Sequence, residues 1–263
     1  MELISFGTFN FDTSNFKYQE IESGLDEFAA ELVAVARASG YFDPNGSRQP
    51  PKRGNQLTAR LVLVVNDATT VDAELDALKK ALFVGRQWLT VRLDDGSTSR
   101  LAIAKCIGLS APRPVEQARA VVPVVLTFQL TEPYWYHSDQ DTLSYVVTAT
   151  PASCDVNNLG TAPLVKAVMR FIGTANRPKF VNNTNGYSIE LNQNITSAQT
   201  FQIDLGAQNV TLNGADAFAS VVLPSAQIEL FKFEVGLNDV DFVAAGGGTP
   251  NGSIQIIYRL TYH

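Results

Sequence analysis

Histidine and cysteine are scarce in this chain, with two of each in 263 residues. That leaves little material for a metal centre or an activated nucleophile, which need several ligands or a paired base at defined spacing. Basic charge is short as well. Lys and Arg number 20 against 26 Asp and Glu, a formal net charge of −6, so the positive footprint of a nucleic-acid binder is missing. No run of about 18 apolar residues exists, which excludes a transmembrane helix. The opening Met1-Glu2-Leu3-Ile4-Ser5-Phe6-Gly7 has neither a basic nor an extended apolar region and predicts no secretory signal. The periods of collagen and of coiled coils are absent too.

What is present is core-forming material. Hydrophobic residues make up 45% of the chain and include 15 Phe, enough to exclude disorder and to support one large or two ordinary domains. Charge thins out along the chain: residues 151–263 hold 6 of the 20 basic and 8 of the 26 acidic side chains. A boundary is expected between Asp139 and Asn158, where small and polar residues interrupt the apolar pattern. The organisation expected is a domain over 1–150 and another over 151–263.

The second part alternates strictly. Tyr187, Ile189 and Leu191 share a face, as do Phe201, Ile203 and Leu205, then Phe231, Phe233 and Val235. A last and longest strand is expected from Ile254 through Ile256, Tyr258 and Leu260 to Tyr262. A period of two means half-buried strands, and Asn185-Gly186, Asn213-Gly214, Gly236, Gly246-Gly247-Gly248 and Asn251-Gly252 supply turns between them. Short strands at this spacing predict a β-sandwich.

The first part predicts strands over Thr58 to Val65, Gln87 to Leu93, Arg100 to Ile107 and Arg119 to Leu130. One helix stands between the first two. Asn66 to Thr70 offer caps, Asp72 and Glu74 suit a first turn, Lys79 and Lys80 a last turn, and Gly85 a stop. Val71, Leu75, Leu78 and Leu82 form its apolar stripe. Leu25 to Ala38 fits either a helix or a strand, and Asp43 to Gly54 predicts an exposed loop.

Candidate chemistry is thin. His137 has no second titratable partner at metal or acid–base spacing, and His263 is terminal. Cys106 and Cys154 read as unbridged thiols of a protein assembled in a reducing cytosol. Asp94-Asp95-Gly96 suits a hairpin turn, and Gly246-Gly247-Gly248 lacks the Lys and strand–helix context of a phosphate loop. Five Asn-x-Ser/Thr triplets, at Asn45, Asn182, Asn194, Asn209 and Asn251, read as turn-rich sequence. Tyr134-Trp135-Tyr136 is the one stretch able to stack on a sugar, which keeps a carbohydrate-binding module or adhesin as the alternative function. No catalytic, cofactor-binding or metal-ligating residue is assigned, and an enzyme is not expected.

The order of motifs says more than any one of them. A Val-rich strand runs into Phe128-Gln129-Leu130-Thr131-Glu132-Pro133-Tyr134-Trp135, followed by Asn158-Leu159-Gly160-Thr161-Ala162-Pro163 and Ile172-Gly173. Next come Pro178-Lys179-Phe180-Val181-Asn182-Asn183-Thr184-Asn185-Gly186, Phe201-Gln202-Ile203-Asp204 and Val210-Thr211-Leu212-Asn213-Gly214. Phe233-Glu234-Val235-Gly236-Leu237-Asn238 and a closing Ile257-Tyr258-Arg259 complete the series. This resembles the distal tail protein (Dit) family of long-tailed, non-contractile phages and related tail-like particles. The resemblance is closest over about residues 119–263 and departs from the family pattern at Val235, where Pro before the Gly is usual.

The resemblance implies a mainly β protein: an N-terminal, tail-tube-like ring domain with one main helix, then a C-terminal galectin-like β-sandwich. It implies a structural role in a phage tail tip, as a homo-hexameric ring joining the tail tube to the baseplate hub. The implied partners are tail tube and tail hub proteins, with tape-measure and receptor-binding proteins as further candidates. DNA would pass through the ring without specific binding, which suits an acidic subunit. The implied location is the virion, after assembly in the host cytoplasm. Long N-terminal strands with a single helix to cover them leave edges and a sheet face that ring neighbours would satisfy.

Overall fold

Alternating apolar residues in the first half of the chain become an antiparallel sheet whose two ends meet. The computed structural model describes residues 2–12, 15–23, 33–34, 41–42, 56–65, 68–93, 96, 98–112, 121–197, 199–222 and 227–262. It divides into two compact units, Met1–Trp135 and Tyr136–His263. The first unit holds β1 (Glu2–Phe6), β2 (Phe9–Asn10), β3 (Phe16–Ser23), β4 (Val33–Ala34), β5 (Tyr41–Phe42) and β6 (Gln56–Val64). After these come α1 (Ala68–Leu82), β7 (Arg86–Arg92), β8 (Ser99–Ser110) and β9 (Val121–Leu130). The sheet order is β2-β1-β7-β8-β9-β6-β3.

Ring contacts show the curl. Phe6 on β1 and Phe128 on β9 are separated by two strands in that order, yet their ring centroids are 5.1 Å apart. Phe9 on β2 and Phe16 on β3, at opposite ends of the sheet, meet at 5.9 Å. One face is therefore wrapped inward. Leu57, Ala59, Leu61 and Leu63 of β6 and Val122, Val124, Leu126 and Phe128 of β9 are buried there. The helix stripe of Val71, Leu75, Leu78 and Leu82 is buried as expected, and Gly85 (φ 98°) ends the segment in a conformation that favours glycine.

Some local expectations need correction. The helix begins at Ala68, so Asp72 and Glu74 lie beyond its first turn, and Glu74 instead accepts a 2.9 Å hydrogen bond from Asn15 Nδ2. Leu93 N–H donates to Thr98 C=O at 2.8 Å, closing the β7–β8 hairpin. Asn66, Asp67, Asp94, Asp95, Asp43 to Gly54 and His263 lie outside the described residues. So does most of Leu25 to Ala38, of which Val33–Ala34 pairs as a strand with Tyr41–Phe42.

β10 (Trp135–His137) crosses the division between the units. The second unit continues with β11 (Asp141–Val147), β12 (Ala152–Ser153), β13 (Val156–Asn158), β14 (Val168–Thr174), β15 (Pro178–Asn182) and β16 (Tyr187–Glu190). Then follow β17 (Thr200–Asp204), β18 (Asn209–Leu212), β19 (Ala215–Asp216), β20 (Gly236–Asn238), β21 (Val240–Ala244), β22 (Asn251–Tyr258) and β23 (Thr261–Tyr262). A sheet ordered β11-β22-β14-β17-β18-β19 faces another ordered β12-β21-β15-β16. Phe171 of the first stacks on Phe242 of the second at 4.3 Å, and Phe180 meets Phe201 at 6.2 Å and Phe242 at 5.2 Å. Two sheets interlocking aromatic side chains make the core of a sandwich.

Gly173 and Gly252 face each other where β14 pairs with β22. A Cβ on Gly252 would stand 2.2 Å from the Ile172 carbonyl oxygen, so only glycine lets these backbones approach.

Three expectations shift in this unit. β11 pairs with β22 from Asp141↔Tyr258 to Val147↔Gly252, and its Leu143 and Tyr145 pack on the second core. A first domain reaching residue 150 would take that strand away from its sheet. Phe231 and Phe233 are buried, but Val235 is exposed and the segment is not a strand: a 3₁₀ turn (Ile228–Leu230) precedes it and Gly236 (φ 94°) turns it. The final strand breaks at Arg259, whose side chain donates to the His137 and Ser138 carbonyls, and the buried face passes to Thr261.

Candidate functional site

The groups that could carry chemistry are enclosed or bonded. Trp135 and Tyr136 are buried, and Lys166 Nζ lies 5.1 Å from the Tyr136 ring centroid. A sugar needs an open ring face to stack on, so this run forms no platform. His137 Nδ1 accepts a 3.1 Å hydrogen bond from the Asp139 N–H. Gly247 N–H donates to Ala244 C=O at 2.9 Å, making the glycine run a turn after β21. Among the described residues no three His, Cys, Asp or Glu side chains gather as a metal site.

Cys106 and Cys154 are free and buried. Burial pushes the Cys106 thiol up from its ordinary value, and burial, with Asp241 and Asp155 nearby, pushes Cys154 up to about 12. Thiols held protonated in this way are poor nucleophiles. Burial likewise raises the Tyr145 and Tyr258 phenols, and Tyr145 Oη donates to the Asp155 carbonyl.

What remains on offer is surface. The outward face of the first unit's sheet carries large apolar side chains: Trp88 is 41% exposed, Ile107 49%, and Val64 and Val121 are exposed as a directly opposed pair. Trp88 stands opposite half-buried Ile103, and in the next outward row Arg86 stands opposite Lys105.

The second unit carries a separate two-stranded ribbon of β13 and β20. Two buried asparagines brace it. Asn238 Oδ1 accepts from Glu234 N–H at 2.8 Å, while its Nδ2 reaches the Glu234, Gly236 and Val156 carbonyls at 2.9, 3.0 and 3.2 Å. Asn158 Nδ2 donates to Ala162 C=O at 2.9 Å and its Oδ1 accepts from Gly160 N–H at 2.9 Å. With these side chains turned inward, alternation sends Leu159 (72% exposed), Val235 (54%) and Leu237 (67%) outward. Asp155 and Asp239 flank the Val156–Asn238 end.

Residues 159–262 match the family model described as siphovirus-type tail component, C-terminal domain. SPP1 Dit, described as a paradigm of the hub adsorption apparatus in phages infecting Gram-positive bacteria, is similar in structure with a TM-score of 0.70. That similarity covers 100% of this chain and 99% of SPP1 Dit at 14% sequence identity. The chain has the distal tail protein fold. A phage p2 baseplate chain is also similar, with a TM-score of 0.48 and 8% identity over 94% of this chain and 92% of that one. No curated protein matches the sequence.

The resemblance to distal tail proteins drawn from the motif order is thus borne out, and so is the mainly β class. Within this distal tail fold the quoted motifs serve structure: Asn158, Gly160 and Asn238 build the ribbon, and Gly173 lets β22 approach. The ribbon's apolar surface went unrecognised in the sequence. Its signal was present, since Val235 and Leu237 flank a turn glycine and Leu159 follows an asparagine, but only the strand pairing puts the three together.

Proposed function

We propose that this chain is a non-enzymatic structural subunit of a phage tail tip, forming a six-membered ring that joins the tail tube to the baseplate hub. The observation that carries this reading is the match of the whole chain to the SPP1 Dit fold. The N-terminal unit is the ring-forming part and the sandwich the outward-facing platform. Exposed apolar residues on the outward face of a curled sheet support the first assignment, because such a face is a liability in an isolated subunit and an asset between subunits.

The ring's role in DNA passage is to stay open and not to grip. Each subunit has a net charge of −6, so six copies set up a field that disfavours lasting contact with phosphates. Tail tube and hub proteins are the neighbours above and below, and the virion is where the protein resides. A reconstruction of the tail tip tests the proposal. Six copies around the channel are expected, with residues 1–135 of every subunit taking part in the contact to a neighbour. Another symmetry, or contacts confined to the sandwich, would overturn it.

A further inference from the structure

Two surfaces in this chain mirror each other in chemistry. On the ribbon, Leu159, Val235 and Leu237 project beside Asp155 and Asp239. Asp155 Oδ1 accepts from Val240 N–H and Ser153 Oγ at 3.1 Å each, and Asp239 Oδ1 accepts from Asn183 Nδ2 at 3.2 Å. Among the described residues neither carboxylate has a cation in an ion pair, and Lys232 is paired with Glu234 at 3.0 Å. On the first unit's sheet, Trp88, Ile103 and Ile107 lie beside Arg86 and Lys105. Those two cations oppose each other directly across β7 and β8, both exposed, and no carboxylate pairs with either among the described residues. Like charges in opposed positions on one face destabilise a strand pair unless a counter-charge is brought to them.

From this complementarity we infer that the β13–β20 ribbon of one copy docks on the outward β7–β8 face of a neighbouring copy. Leu237, Leu159 and Val235 would cover Trp88, Ile103 and Ile107, while Asp155 and Asp239 would meet Arg86 and Lys105. The contact joins two different surfaces, so it runs head to tail and closes into a ring at the right angle instead of stopping at a dimer. The asparagine brace matters here. A ribbon already held in shape loses little freedom on docking, so its three apolar side chains act as anchors. The inference rests on the ring reading and gives it a specific contact.

The test uses the full chain. A photo-cross-linking residue replaces Leu237 in isotopically heavy protein, which is mixed with light protein at rising concentration, and sedimentation follows assembly. Heavy-to-light cross-links from position 237 to peptides holding residues 86–107 are expected. Asp239→Lys and Lys105→Glu should each weaken association about tenfold or more, and the two together should restore it. Restoration guards against either variant simply misfolding. Assembly that ignores both charge reversals, or cross-links that avoid β7 and β8, would overturn the contact and leave the ring reading standing. Absence of any assembly, alone or in the particle, would remove both.

Discussion

At the scale of single residues, this protein keeps its reactive groups quiet. Cys154 is the clearest case: enclosed among apolar side chains with Asp241 and Asp155 near, its thiol titrates at about 12 against an ordinary 9.0. The folded state favours the protonated thiol, and the unfolded chain ionises first as pH rises. The stability this contributes is therefore complete below pH 9.0 and is lost as pH climbs towards about 12. Its full size is on the order of 4 kcal/mol. Urea unfolding at a series of alkaline pH values should show a steep fall in stability, to which Tyr145 and Tyr258 add with the same sign. Cys154→Ala should make that fall shallower, whatever it does to stability at neutral pH. An unchanged slope would mean that the thiol does not titrate as its surroundings require.

At the scale of elements, the sequence was informative wherever one period ran without interruption. The helix stripe from Val71 to Leu82, the long β6 and β9, and the alternation of Phe201 with Ile203 all read correctly because each buries one continuous face. It was misleading where apolar residues are buried without a ladder. Phe231 and Phe233 go inward from irregular backbone, and a period of two cannot distinguish that from a strand. The ribbon is hardest to read, because its key residue is polar. Asn238 makes four hydrogen bonds inside a turn, a task that Asn shares in sequence with any loop asparagine. Asn238→Ala should cost about 2–3 kcal/mol by leaving buried carbonyls and an amide without partners. Amide exchange in residues 156–159 and 234–238 should quicken at the same time. A variant with wild-type stability and exchange would show that the ribbon holds itself without the asparagine.

At the scale of the whole molecule, the decisive fact is where β11 goes. It is the edge strand of the second unit's larger sheet, contributing Leu143, Tyr145 and Val147 to the core side. Residues 136–263 should therefore fold alone into a cooperative unit, whereas 151–263 should be less stable and prone to associate through the uncovered edge of β22. Thermal unfolding and size-exclusion of the two fragments check this, and equal behaviour would show β11 to be dispensable.

The same strand bears on how such a protein can be exchanged between lineages. The match to the tail-component family model begins at residue 159, but the sheet it describes is finished by a strand that ends at Val147. A recombination event that joined genes at the first residue of that match would deliver a sandwich lacking its edge, dependent on whatever strand the recipient happened to supply. Crossovers that succeed should thus fall before Asp141, outside the segment that the tail-component family model matches.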